Sequence, residues 1–87
     1  MIVCTLSRRR LRLAGHSEEE EGRICAVASV VTQALAGYQG DDPSAARPEP
    51  GVTLVRRRRT DSFRFAVHTL RKLAEQYPTA IRFEEAA

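Results

Sequence analysis

The sequence holds two cysteines, Cys4 and Cys25, and two histidines, His16 and His68, and the pair that invites chemistry is His16 and Cys25, nine positions apart. A thiol attacks carbon only as thiolate, a form favoured by a helix N-terminus, a neighbouring imidazolium and partial access to water. The sequence offers Cys25 all three. It stands where a glycine-punctuated polar loop becomes an apolar helix, so free backbone N–H groups and the positive end of the dipole would face a charged sulfur. The same N–H groups could serve as an oxyanion hole. His16 follows Gly15 at the mouth of a strand, and the loop after it can fold back to bring the imidazole to the sulfur. Spacing alone leaves chance proximity of the two side chains open. Ser29 lies four positions after Cys25 and Thr32 seven, a polar line on an otherwise apolar helix. Ser29 has two readings: it bonds back to helix carbonyls, or it orients the sulfur and contacts substrate backbone.

The other candidates read as structural. Cys4 shares a strand face with Ile2 and Leu6, so it is expected to be a small buried hydrophobe. His68 falls between Arg64 and Arg71 on the charged side of a helix, as a solvated side chain does. No paired Cys or His ligands occur at close spacing, so no metal or other cofactor is expected. A disulfide between the two cysteines is not expected either, given their different surroundings.

The elements that must position this pair follow from periodicity. Ile2, Cys4 and Leu6 alternate with Val3 and Thr5, and Leu11 and Leu13 alternate with Arg10 and Arg12, which reads as a strand hairpin. Ile24, Ala28, Val31, Leu35 and Tyr38 form a helical stripe widened by Val27, Val30 and Ala34, so this helix is expected to be mostly buried. The proline- and glycine-rich stretch 39–51 has the makeup of a mobile loop. Val52 to Val55 reads as a strand. Thr60, Asp61 and Ser62 offer N-caps to a second helix carrying Phe63, Val67, Leu70, Ala74 and Tyr77, which Pro78 ends. Ile81 and Phe83 alternate in a last strand. The expected fold is a small single α/β domain of the α+β kind over residues 1–87, in the order β-β-α-β-α-β, its sheet packed with two helices.

With 87 residues the chain supports one core, and self-association is the expected aid to so small a domain. No apolar run approaches the ~20 residues that span a bilayer, and the amino-terminal residues lack the pattern of a secretory signal, so no membrane partner and a cytoplasmic location are expected. The formal net charge is +3, but it is segregated: Arg8 to Arg10 and Arg56 to Arg59 are basic, and Glu18 to Glu21 is acidic. The arginine clusters permit contact with nucleic acid without requiring it.

Gly15-His16-Ser17, a short loop, Gly22 and then Ile24-Cys25-Ala26-Val27-Ala28-Ser29 resemble the glycine-histidine, glycine, cysteine-alanine-x-x-serine signature of the ribosomal-processing cysteine protease (Prp) family. The segment from Leu73 to Phe83 resembles that family's closing helix and strand, so the resemblance covers almost the whole chain. It implies a cysteine endopeptidase, usually a homodimer, that removes an N-terminal extension from a large-subunit ribosomal protein precursor. Carried over, Cys25 is the nucleophile and His16 the general base, with Gly15, Gly22 and Ser29 in orienting or substrate-binding roles. Two departures stand out: the loop between the pair is short, and Arg23 and Ile24 fill the interval in which the family carries an aspartate. Any role of that acid in setting geometry falls to another group, for which Glu18 to Glu21 are candidates, or is absent. The glutamate run is otherwise solvated charge, or a negative rim for the basic tail of a ribosomal protein. The alternative function is a non-catalytic ribosome- or RNA-binding module working through the two arginine clusters.

Overall fold

The computed structural model describes residues 1–86. Within them, strands β1 (Ile2–Leu6), β2 (Arg10–Gly15), β3 (Val52–Arg56) and β4 (Ile81–Glu85) form one sheet in the order β3-β2-β1-β4. β1 runs antiparallel to β2 and parallel to β4, and β2 runs antiparallel to β3. Helices α1 (Arg23–Tyr38) and α3 (Asp61–Gln76) make the long crossings, and a four-residue helix α2 (Pro43–Ala46) interrupts the connection from α1 to β3. The β-β-α-β-α-β order expected from periodicity is the frame of this α+β domain.

Alternation along the strands decides which face is buried. Cys4 lies opposite Leu13 and Phe83, and Leu6 opposite Leu11, which in turn faces Val55. Ile2, Cys4, Leu6, Leu11, Leu13, Val55 and Ile81 are all buried, whereas Arg10, Arg12, Arg82 and Glu84 are exposed on the other face. The helices cover the apolar face and touch one another. From α3 come Phe63, Ala66 and fully buried Leu70, a side chain whose burial contributes about 1.5–3 kcal/mol. Thr60 caps this helix, its Oγ1 accepting from the Phe63 N–H at 3.2 Å.

One expectation needs correction. α1 buries Ile24, Ala28, Thr32, Leu35 and Ala36, but Val27, Val30 and Tyr38 face solvent, the last two 65% and 82% exposed. A helix apolar on every side gives no periodic sign of which face meets the sheet, and a two-layer fold covers only one. The 39–51 segment contains α2 and places Ala46 in the core. It is tied at one end by Asp41, whose Oδ2 accepts from the Arg56 N–H at 2.9 Å, and by Gln39, whose Nε2 donates to the Arg56 carbonyl at 2.7 Å.

Candidate active site

The Gly15 end of β2 and the head of α1 meet beside the beginning of β1. Between them the chain makes an unusual turn: Glu20, Glu21 and Gly22 have φ of 53°, 59° and 79°, three left-handed residues in succession. The left-handed region costs an L-residue roughly 1–2 kcal/mol, and here it reverses the chain within a few residues. Ser17 starts the reversal, its Oγ accepting from the Glu19 N–H at 3.2 Å, and the Thr79 hydroxyl donates to Glu19 Oε2 at 2.8 Å. Arg23 closes it by donating from Nε to the Glu20 carbonyl at 3.0 Å. Its side chain thus points back along the loop.

This turn brings the expected pair together. His16 Nδ1 lies 3.9 Å from Cys25 Sγ. Cys25 is the third residue of α1 and half-buried, while His16 is exposed. The N-cap, Gly22, has no side chain, so the opening N–H groups of α1 receive no side-chain cap. On the far side of the ring, Nε2 stands 3.9 Å from Glu18 Oε1, and both side chains are well exposed. Glu18 is therefore the acid nearest the imidazole, at a distance and exposure that give the pair little strength.

A cavity of about 160 Å³ opens at the sulfur, lined by Gly15, His16, Cys25 and Ser29 together with Gln33, Arg47, Gly51 and Thr53. Gly22 does not line it. Thr32 also departs from the expected polar line, since its hydroxyl donates back to the Ala28 carbonyl at 2.9 Å in the core. The groove continues instead along Cys25, Ser29 and Gln33, each one helical repeat of four from the last. Arg47 and Gly51 enter from the 39–51 segment, where composition carried no sign of them. Gly15 is required by its surroundings as well as by its φ of +104°: a Cβ there would sit 2.2 Å from the Met1 carbonyl oxygen. Cys4, fully buried under the helices, has its thiol pushed up to about 12 by that burial. Both cysteines are free, and His68 is exposed. Among the described residues no three of His, Cys, Asp and Glu gather closely enough to hold a metal ion, and no helix is long and apolar enough to cross a membrane.

No family model matches the sequence, and no curated protein matches it. Solved structures do. The essential ribosomal processing protease Prp from S. aureus in complex with a substrate peptide superposes with a TM-score of 0.75 at 19% identity, over 99% of this chain and 100% of that one. This chain has the Prp fold. The same S. aureus protease with a covalently linked product peptide matches with a TM-score of 0.67 at 17% identity, over the same shares of the two chains. The Prp fold spans 99% of this chain.

Proposed function

We propose that this chain is a cysteine endopeptidase that removes the N-terminal extension of a large-subunit ribosomal protein precursor in the cytoplasm. The observation that carries the reading is the approach of the His16 imidazole to the Cys25 sulfur, at the mouth of a cavity at the head of α1. The Prp fold and the peptide-bound states of the S. aureus protease support it.

In this reading the Cys25 Sγ–H proton passes to His16 Nδ1, the nitrogen that faces it, as the sulfur adds to the scissile carbonyl carbon. The carbonyl oxygen becomes an oxyanion beside the uncapped N–H groups of α1, whose orientation favours negative charge. Collapse breaks the C–N bond, and Nδ1–H returns its proton to the leaving amine. Water, deprotonated by the same nitrogen, then hydrolyses the thioester to release the carboxylate and the thiol. A cavity of about 160 Å³ is below the ~300–1,000 Å³ of pockets that engulf a ligand. It holds a side chain or two of an extended peptide, with Ser29 and Gln33 positioned to contact its backbone.

A homodimer is part of the same proposal. Phe65 is 72% exposed on α3, and a second copy would cover it or the outward Val27, Val30 and Tyr38 of α1. Light scattering showing only monomer at micromolar concentration removes this part. The peptidase itself is tested by co-expression with the organism's own ribosomal protein precursor. Intact mass should show a trimmed product with wild type and full-length precursor with Cys25→Ala; the same uncut mass with both contradicts the proposal. The arginine clusters behind the non-catalytic alternative do not touch this cavity.

A further inference from the structure

Arg8, Arg57, Arg58, Arg59, Arg64 and Arg71 ring an open cleft of about 650 Å³ floored by Leu6, Phe63 and Val67, with Glu85 the only carboxylate lining it among the described residues. The cleft sits where β1, β3 and β4 end, whereas the Cys25 cavity sits where β1 and β3 begin, so the length of β1, roughly 13 Å, separates them. Three parts of the chain supply the arginines: the turn after β1, the link from β3 to α3, and one side of α3. Arg57 is fixed in place. Its Nη1 donates to the Ser7 carbonyl at 2.9 Å and its N–H to the Arg9 carbonyl at 2.9 Å. Arg64 engages Asp61, and Arg71 engages Glu85 while lying 4.5 Å over the Phe83 ring. Arg8, Arg57, Arg58 and Arg59 form no ion pair among the described residues.

The structure also divides the basic runs. Arg10 and Arg56 line a separate hollow with Asp41 and Asp42, so the arginine string of the sequence is not one surface. What remains is a concavity in which like charges repel and the field is focused, an arrangement relieved by a bound polyanion. Every cation on its rim is a guanidinium, the fork that takes two oxygens of a phosphate at once. The opening is far larger than one phosphate, and its unpaired groups come from two loops, which suits a polymer of regular charge. Phe63 is buried in the floor and leaves no ring free for stacking, so contacts go to backbone rather than to bases. At the opposite end of the molecule Glu18 to Glu21 would repel the same polymer.

We propose that this cleft docks the phosphodiester backbone of structured RNA, leaving the Cys25 cavity turned away and free. The site stands whether or not Cys25 cleaves a peptide, and it is measured without substrate. The probe is a fluorescein-labelled RNA hairpin of mixed sequence, titrated by anisotropy at increasing KCl. Four phosphate contacts, at about −0.9 each, give a log–log salt slope near −3.6 and a roughly 150-fold loss of affinity from about 50 to 200 mM salt. Arg58→Glu with Arg59→Glu should weaken binding by roughly tenfold or more and reduce the slope by about 2, and Arg8→Gln, in another loop, should reduce it by about 1. Arg12→Glu with Arg56→Glu, the same charge change on exposed residues outside the cleft, should leave the slope unchanged, as should Cys25→Ala. No binding at low salt overturns the proposal. So does an equal loss from the two double variants, which would mean net charge alone, or displacement of the RNA by poly-glutamate at matched charge, which would point to an acidic protein.

Discussion

Replacing Gly15 by alanine is expected to damage both stability and the site, because this residue is where β1, β2 and His16 are locked together. A methyl group at this position would lie 2.2 Å from the Met1 carbonyl oxygen, 3.3 Å from its carbon and 3.4 Å from Ile2 Cα, all main-chain atoms that no rotamer can clear. Separations under 3.0 Å are not seen for real Cβ atoms, so the start of β1 must withdraw by about 0.8 Å. That shift strains two hydrogen bonds, Gly15 N–H to the Gly51 carbonyl at 3.2 Å and Ile2 N–H to the Ala80 carbonyl at 2.9 Å. Alanine at φ +104° also carries a conformational penalty of about 1–3 kcal/mol. With about 1 kcal/mol for a weakened hydrogen bond, the expected loss is about 2–4 kcal/mol. His16 is the next residue, and a displacement near 1 Å at a reacting group lowers turnover by roughly 100-fold. Urea unfolding followed by circular dichroism gives the first quantity, and precursor trimming by mass the second. Gly22→Ala is the comparison: its φ is +79° but its Cβ meets nothing within 4 Å, so it should lose only about 1–2 kcal/mol. If the two variants prove equally stable, the clash with Met1 is not what makes Gly15 necessary.

Cys4 makes a pH-dependent contribution. Its thiol titrates at about 12 in the folded chain against 9.0 when exposed, so the unfolded chain loses its proton first. The stability advantage of wild type over Cys4→Ala should be full below pH 9.0 and shrink by about 1.4 kcal/mol per unit as pH rises toward 12, read by urea unfolding across that window. A constant difference refutes it. Thr60→Ala removes the acceptor of the Phe63 N–H and should destabilise by about 1 kcal/mol, with Thr60→Ser retaining most of the cap. Glu21→Gly, at φ 59°, should stabilise by about 1 kcal/mol in the same assay by relieving left-handed strain, and a loss instead would show that the Glu21 side chain holds the turn.

The strand hairpin, α3 and the last strand were legible because each buries one face, and one-sided burial leaves a period in the residues. α1 was legible as a helix but not in its orientation, since Val27, Val30 and Tyr38 carry the same apolar signal as the buried side. The pairing of His16 with Cys25 could be read because a glycine-bounded loop joins a strand to a helix head. What the loop does could not: glutamate is not a residue that marks left-handed backbone, and only the three-dimensional turn shows Glu20 and Glu21 adopting it. Gln33, Arg47 and Thr53 were missed for a related reason. They reach the cavity from a helix repeat, a proline-rich segment and a strand whose convergence is tertiary, and nothing local distinguishes them. The arginine runs likewise concealed their division, because a β-strand ends inside the second run and sends Arg56 one way and Arg57 to Arg59 another.

In the proposed peptidase the imidazole of His16 keeps the Cys25 sulfur nucleophilic, and thiol alkylation tests that directly. Iodoacetamide labelling, with both cysteines resolved by peptide mass in wild type and His16→Ala, supplies its own control in buried Cys4. Cys25 should be labelled rapidly in wild type and at least roughly tenfold more slowly in His16→Ala, with negligible labelling of Cys4 in both at neutral pH. Equal Cys25 rates in the two proteins across the pH range would contradict it.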